Sequence, residues 1–251
     1  MNFNPDIRAK LRILRTNYEM FGWLSTLKSG LAYLLGEGQR DRFDERYGVS
    51  TALTVEPARA GIADDAARAQ AVRYVAVREE VIRHILETLE AELDLRTSSF
   101  VDLGCGKGRA LIAASWFPFA HVLGVEISPL HCESARDNIA RVRASDVQSK
   151  QIRCDDIEVE CVDAAYFSPP KSDLLVYLYR PFKEAMLTRV LDHVSHLRDT
   201  RGCRILVAYC CPVEEFVFEN HARFIKLAEH QVISEEHSWN LWECTADRGH
   251  D

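Results

Sequence analysis

Three glycines stand at alternate positions directly after a short apolar run, in Val101-Asp102-Leu103-Gly104-Cys105-Gly106-Lys107-Gly108. Glycine allows a backbone to turn sharply and to approach a ligand closely, because no Cβ blocks the way. The helix predicted after this turn directs its N-terminus to the same point and adds free N–H donors and a partial positive charge. The pattern therefore predicts a nucleotide-binding turn beyond the carboxyl end of a strand.

The spacing of acids and glycines narrows the choice of nucleotide. The chain has no Gly-x-x-x-x-Gly-Lys-Ser/Thr phosphate loop, and the third glycine of a dinucleotide fingerprint counted from Gly104 would fall at Arg109. Glu126 ends a second predicted strand, where a carboxylate can accept hydrogen bonds from both ribose hydroxyls of NAD or of S-adenosylmethionine. Asp102 lies beneath the turn, where a carboxylate suits an amine and a sulfonium and repels a pyrophosphate. Asp102 therefore favours the sulfonium ligand.

The elements that position these residues alternate between strand and helix from Tyr74 onward, as an α/β domain requires. Strands are predicted at 99–103, 121–126, 157–162, 173–178 and 204–209, with a closing antiparallel pair at 224–227 and 239–244. Helices are predicted around 77–89, 110–117 and 186–194, and Ser128 is a candidate N-cap for a further helix.

Four segments resemble the motifs of class I S-adenosylmethionine-dependent methyltransferases. The glycine segment resembles motif I, and Gly124-Val125-Glu126-Ile127-Ser128 resembles the motif that follows it. Val162-Asp163-Ala164 is similar to the acidic motif that meets the adenine amino group, and Tyr177–Phe182 to the motif beside the transferred methyl. The resemblance implies an α/β fold with a doubly wound, seven-stranded, mostly parallel sheet in the order 3-2-1-4-5-7-6.

The resemblance also implies S-adenosylmethionine as cofactor and methyl transfer to an unidentified acceptor, either a protein side chain or a small molecule. Cofactor contacts are expected from Asp102, Gly104, Cys105, Gly106, Gly108, Glu126, Ile127, Asp163 and Ala164. The acceptor is expected beside Tyr179, Arg180, Pro181 and Phe182, with Tyr47 and Thr51 contributing from a lid. We identify no general base, because an in-line displacement on an activated carbon requires mainly positioning.

Arg180 departs from the pattern of the nearest subgroup. Phe43–Thr51 resembles the pre-domain segment of a bacterial subgroup whose motif I is similar to that of non-SET histone-lysine methyltransferases. That subgroup usually has Asn-Pro-Phe where this chain has Arg180-Pro181-Phe182. An asparagine can accept a hydrogen bond from a target N–H, whereas a guanidinium only donates. Arg180 therefore argues against N-methylation by this route and suits either an anionic acceptor or a structural acid.

The first 73 residues differ in pattern from the rest of the chain. Apolar residues recur at helical spacing among basic ones at Ile7, Leu11, Leu14, Tyr18 and Phe21. This helix is expected to pack on the main domain, with a weak membrane or acidic-partner contact as the alternative. Residues 36–73 are polar and irregular, as in a linker or a lid. We predict an N-terminal helical and lid extension at 1–73 and a Rossmann-like domain at 74–251.

Composition limits the remaining functions. The net charge of -7 argues against an extended nucleic-acid interface, and neither a transmembrane helix nor a signal peptide is expected. The eight cysteines have no zinc-site spacing, so no metal site is expected and a reducing cytoplasm fits best. Cys210-Cys211 is interpreted as structural, His131 as a surface or packing residue, and Asp155-Asp156 as a solvated turn.

Two other functions stay open. An NAD-dependent Rossmann oxidoreductase would share the fold and Glu126, and a cofactor-binding protein without turnover would be compatible with Arg180. Binding of S-adenosylmethionine or of NAD distinguishes the first alternative from methyl transfer.

Overall fold

A computed structural model describes residues 42–52, 55, 58, 60–232 and 238–247. The described residues from Arg46 onward belong to one compact unit. The basic amphipathic helix predicted between Ile7 and Phe21 lies outside the described residues, and the domain boundary after residue 73 stays a prediction.

Among the described residues, seven strands form one sheet. They are β1 (Ser98–Leu103), β2 (His121–Val125), β3 (Ile157–Glu160), β4 (Asp173–Tyr179), β5 (Ile205–Cys210), β6 (Phe224–Gln231) and β7 (Ser238–Cys244). Their order across the sheet is β3-β2-β1-β4-β5-β7-β6. The first five strands run parallel, and β7 pairs antiparallel with β5 and β6. The predicted fold class, strand order and closing antiparallel pair are confirmed.

Helices cover the sheet on both faces, since every residue of β1 and of β5 is buried. The helices are α1 (Arg42–Tyr47), α2 (Asp65–Gln70), α3 (Glu79–Leu89), α4 (Arg109–Ala114), α5 (Pro129–Ala144), α6 (Glu184–Arg201) and α7 (Glu215–Glu219). Alternate residues of the central strands, such as Val101 and Val176, form one buried cluster with Leu187 and Val190 of α6. None of the described helices combines the length and the hydrophobicity that crossing a bilayer requires.

The predicted N-cap of α5 is confirmed. The Ser128 hydroxyl accepts a hydrogen bond from the His131 N–H at 3.2 Å, which satisfies one of the free donors of the first turn. Because α5 begins directly after β2, this cap places the start of the helix at the carboxyl edge of the sheet.

Several predicted boundaries differ from the structure. α4 ends at Ala114 rather than at 117, because the Ser115 carbonyl accepts hydrogen bonds from the N–H groups of Arg153 and Cys154, at 2.7 and 3.0 Å. β3 ends at Glu160, two residues before the predicted end. The sequence did not predict α7, since five residues are too few to show a helical period.

Phe100 tests whether the centre of the sheet supports the fold. Its side chain is fully buried and packs on Tyr177, with 5.8 Å between ring centroids. We expect Phe100→Ala to lower the free energy of unfolding by about 3 to 5 kcal/mol in urea denaturation, because it leaves a large cavity. Val147→Ala, at a side chain that is 66% exposed, should change it by less than about 0.5 kcal/mol. Similar losses in both variants would contradict this packing.

Candidate functional site

The glycine turn connects β1 to α4 and is hydrogen-bonded to the carboxyl end of β2. Gly104, Gly106 and Gly108 have φ values of 87°, 53° and 83°, which are accessible to glycine without strain. The N–H groups of Gly104 and Cys105 donate to the Val125 carbonyl at 2.8 and 3.1 Å. These two bonds hold the turn at the edge of the sheet, where the sequence predicts it.

Side chains from distant segments lie directly against the turn. A Cβ on Gly104 would stand 2.6 Å from Cβ of Pro181, and a Cβ on Gly106 would stand 2.1 Å from Cε2 of Tyr74. Real Cβ atoms do not approach other atoms so closely, so these contacts require glycine. The predicted acceptor segment around Pro181 is thereby brought to the predicted cofactor turn.

The Glu126 carboxylate is oriented by two backbone donors. The buried Glu126 side chain accepts hydrogen bonds from the Gly106 N–H and the Ser128 N–H, both at 2.9 Å. Each carboxylate oxygen can accept a further bond, so the group can still bind ligand hydroxyls. His131 lies beside it, with 3.9 Å between Nδ1 and a Glu126 oxygen, and packs at 5.3 Å from the Tyr74 ring. Of the surface and packing roles predicted for His131, these contacts and its burial favour packing.

Asp102 is the second buried carboxyl group at the turn, beside Glu126. Its side chain is buried, and no described residue forms a hydrogen bond or an ion pair with its carboxyl group. Burial, and then the charge of Glu126, raise the pKa of Asp102 well above its usual value. Tyr177 and Cys210 lie close enough for the Asp102 charge to raise the pKa of both, after the larger effect of burial. A buried carboxyl group without a partner is suited to a cationic ligand.

Asp163 follows β3, the strand that neighbours β2. Its Oδ1 accepts the Ala165 N–H at 2.8 Å, and its Oδ2 lies 3.4 Å from Nη2 of Arg189. Ala164 is buried and Ile127 is half-buried. The acidic motif is therefore located at the same edge of the sheet as Glu126, with its carboxylate fixed by the protein.

The predicted acceptor segment follows β4 at the centre of the same edge. Arg180 has a φ of 45°, which is uncommon for a residue other than glycine. Phe182 forms an isolated antiparallel bridge with Ala71, and Nζ of Lys183 donates to the Ala69 carbonyl at 2.7 Å. Residues 69–74 thus run alongside both the acceptor segment and the glycine turn.

Tyr47 and Thr51 contact residues of α3 and α4 and the segment that follows α4. Tyr47 packs on Trp116, with 4.8 Å between ring centroids, and its hydroxyl donates to Glu79 at 3.2 Å. Thr51 accepts a hydrogen bond on Oγ1 from Nε of Arg109 at 2.7 Å. The contribution of Tyr47 and Thr51 to an acceptor lid stays a prediction.

Sequence reasoning missed three residues that hold the site together. The Tyr74 hydroxyl donates to the Thr51 carbonyl at 2.8 Å, and the buried Arg109 side chain donates to the Val77 carbonyl at 3.1 Å. Asn138 accepts the Ser50 N–H at 2.9 Å and donates to the Lys107 carbonyl at 3.0 Å. Only Asn138 gave a signal in the sequence, as a polar residue on the buried stripe of α5.

The other chemically suggestive groups have structural contacts. Asp156 lies 2.9 Å from Nδ1 of His121, and Cys210 is buried while Cys211 is half-buried. In the part of the chain that the structure describes, no three histidine, cysteine or acidic residues are grouped as metal ligands would be.

Comparison with known proteins finds local similarity to methyltransferases, and no family model matches the chain. The ribosomal protein L11 methyltransferase of Aeromonas hydrophila is 34% identical over 85 residues, which are 33% of this chain and 29% of that protein. The protein of the same name in Tolumonas auensis is 43% identical over 54 residues, which are 22% of this chain and 18% of that protein. The chain spans less than a third of the length of these relatives.

Two solved structures are also similar. The magnesium protoporphyrin IX methyltransferase of Synechocystis PCC 6803 has 15% identity and a TM-score of 0.49, over 67% of this chain and 79% of that one. An S-adenosylmethionine-dependent methyltransferase of Clostridium acetobutylicum has 11% identity and a TM-score of 0.47, over 68% and 93%. The strand order and the curated relatives agree with the resemblance to class I methyltransferases that the motifs predict. The similarity of motif I to that of non-SET histone-lysine methyltransferases stays a prediction.

Gly106→Ala tests the close approach of Tyr74 to the turn, with Gly202→Ala as the matched control. Both glycines have positive φ, 53° and 68°, so alanine is strained by about 1 kcal/mol at either position. A Cβ at Gly202 has no atom within 4 Å, whereas a Cβ at Gly106 overlaps the Tyr74 ring. We expect urea denaturation to show that Gly106→Ala lowers the free energy of unfolding by about 1 to 2 kcal/mol more than Gly202→Ala does. Equal losses would contradict the contact.

Asp102→Asn tests the uncompensated carboxyl group. The raised pKa of Asp102 means that the folded protein keeps this proton while the unfolded chain releases it. Its stabilising contribution is complete below the unfolded pKa and is lost as the pH rises through the folded pKa. Without added ligand, the variant should therefore be more stable than wild type by at least about 1 kcal/mol near pH 8 and similar to it near about pH 4.

Thermal unfolding of the two proteins across this pH range measures the difference. A variant that is less stable than wild type near about pH 8 would mean that the protein stabilises the ionised carboxylate, contrary to the structure.

Proposed function

We propose that this chain is an S-adenosylmethionine-dependent methyltransferase. The observation that carries the proposal is the pairing of a buried, uncompensated Asp102 with an oriented Glu126 at one glycine turn. A ligand for this turn has to present a cationic group to Asp102 and hydroxyl donors to Glu126. An adenosyl group with a sulfonium and an amine meets both requirements.

The residues of the site fit this cofactor in type and placement. Asp102 would compensate the positive charge, Glu126 would accept from the ribose hydroxyls, and Asp163 would lie at the adenine end. The glycine turn, with Cys105, would form the floor, and Ile127 and Ala164 would supply apolar contacts along the adenosine. The bound cofactor supplies a methyl group on an already activated carbon.

The chain's own contribution to the reaction would then be binding, orientation and exclusion of water. Tyr74 lies against Gly106 and Pro181 against Gly104, where the two side chains would limit the access of solvent to the turn. Tyr179–Phe182 lie at the edge where an acceptor would meet the turn. We assign no general base, since correct placement of the acceptor atom can supply most of the rate enhancement.

For the methyl acceptor we propose only a chemical class. The curated relatives are named for methylation of a ribosomal protein, which supports a protein acceptor, and a small molecule is the alternative.

We further propose that the protein acts in a reducing compartment such as the cytoplasm, because all eight cysteines are free thiols and five of them are buried.

Asp102 disfavours the NAD-dependent alternative. A dinucleotide would place its pyrophosphate against the glycine turn, next to two buried carboxyl groups. A protein that binds the cofactor without turnover differs from the proposal only in catalysis, so it predicts the same binding and no product.

Calorimetric titration with S-adenosylmethionine, S-adenosylhomocysteine and NAD tests the proposal. We expect the first two to bind wild type and NAD not to bind. Glu126→Gln should weaken the affinity for S-adenosylmethionine by at least about tenfold, or about 1.4 kcal/mol, because a neutral amide accepts hydrogen bonds from the ribose hydroxyls less strongly than a carboxylate does. Glu133→Gln, at an exposed position of α5, should leave the affinity unchanged. Binding of NAD alone, or equal affinities in both variants, would overturn the proposal.

A further inference from the structure

Arg180 and Cys211 share an uncommon backbone conformation at neighbouring positions of the sheet edge. Their φ values are 45° and 49°, in the left-handed region that non-glycine residues seldom adopt. Tyr179 pairs with Cys210 in the parallel register of β4 and β5, so Arg180 and Cys211 each follow a paired residue. Such strain persists where the surrounding structure imposes it, and it concentrates at functional sites.

The turn that contains Arg180 is fixed on the side of the proposed cofactor. Pro181 packs against Gly104 so closely that a Cβ there would lie 2.6 Å from the proline Cβ. Phe182 is held by its bridge to Ala71. Arg180, a half-buried residue, is therefore located one residue from the contact between the acceptor segment and the first glycine of the turn.

Arg180 has no ion-pair partner among the described residues, since no carboxylate of theirs lies within ion-pair distance of the guanidinium. Its charge acts on the Tyr179 and Tyr209 hydroxyls, and the Glu214 carboxylate also acts on Tyr209. Burial raises the pKa of Tyr179, and it raises that of Tyr209 to about 12, while Arg180 lowers both by a smaller amount. Both phenols are therefore neutral, and none of the described residues forms an ion pair with Arg180.

Two other half-buried arginines have a carboxylate close by, whereas the half-buried Arg201 donates to the Pro169 and Pro170 carbonyls. Arg204 lies 2.8 Å from Glu243, and Arg223 lies 2.6 Å from Asp199. Among the described residues no structural acid pairs with Arg180, whereas Glu243 pairs with Arg204 and Asp199 with Arg223.

We propose that Arg180 is a specificity-determining residue that binds an oxyanion, a carboxylate or a phosphate, on the methyl acceptor. The inference rests on the proposed function, because Arg180 faces a methyl acceptor only if the glycine turn binds the cofactor. A guanidinium offers two parallel N–H donors to such a group. Arg180 would select anionic acceptors and orient them toward the turn.

Anion binding by the protein loaded with S-adenosylhomocysteine provides a direct test. Inorganic phosphate and acetate are titrated at constant ionic strength, and the Nε–H resonances of the arginines are followed by NMR. Phosphate and acetate distinguish the two sources of the oxyanion. We expect saturable binding of at least one of them at millimolar concentration, with the Arg180 resonance shifted.

Three variants make the assignment specific. Arg180→Asn removes the charge with a residue that tolerates positive φ, Arg180→Lys keeps the charge, and Arg141→Gln removes an exposed charge on α5. We expect Arg180→Asn to weaken anion binding by at least about tenfold. Arg180→Lys should weaken it less, and Arg141→Gln should not change it. The affinity for S-adenosylhomocysteine should stay within about twofold of wild type in all three, which also shows that they fold.

A second readout uses catalysis. Transfer of labelled methyl groups is measured for carboxylate and phosphate acceptors and for their neutral amides or esters. Wild type should prefer the anionic member of each pair, chiefly through KM, and Arg180→Asn should lose the preference.

The outcomes separate this inference from the proposed function. Anion binding that is equal in wild type and Arg180→Asn, with S-adenosylhomocysteine still bound, would overturn the role of Arg180 alone. If Arg180→Asn weakens the affinity for S-adenosylhomocysteine as much as the affinity for the anion, Arg180 would lie at the cofactor, and its proposed role at the acceptor would be overturned. Absence of S-adenosylhomocysteine binding in every protein would overturn the proposed function, and this inference with it.

Discussion

The site depends on one buried carboxyl group, that of Asp102, which lies beneath the glycine turn without a hydrogen-bond donor or a cation among the described residues. Ionising such a group inside a protein is unfavourable unless a positive charge approaches it. The fold provides the surroundings that keep water away, because every residue of β1 is buried. The protein thus maintains a buried carboxyl group whose ionised form a cationic ligand would stabilise.

The rest of the site fixes the backbone around this carboxyl group. Glu126 receives an N–H from the turn and another from the segment after β2, so its position is coupled to that of Gly106. Tyr74 rests on the same glycine and reaches the Thr51 carbonyl. The segment that contains Thr51 and Tyr74 therefore packs against the glycine turn, and a displacement of either one would shift the other.

The sequence predicted the parts of this arrangement that depend on local pattern. Buried parallel strands have continuous apolar runs, and a turn that approaches other atoms closely needs glycines, so the strands and the turn at Gly104–Gly108 were both accessible from local pattern. The order of the strands came only from the resemblance of the motifs to class I methyltransferases. The contacts of Tyr74 and Arg109 were not, because they join positions 20 or more residues apart whose spacing follows no period. Arg180 was recognised as a departure, but whether an acid neutralises it depends on the tertiary structure.

The most direct test of the uncompensated carboxyl group is the number of protons released when S-adenosylmethionine binds. Calorimetry in two buffers of different ionisation enthalpy, from about pH 5.5 to about pH 8, gives this number for wild type and for Asp102→Asn. A cation that reaches Asp102 lowers its pKa, so wild type should release a proton on binding wherever the free protein still holds it, and the variant should release none from this group. Equal proton release by both proteins at every pH would contradict the central role given to Asp102.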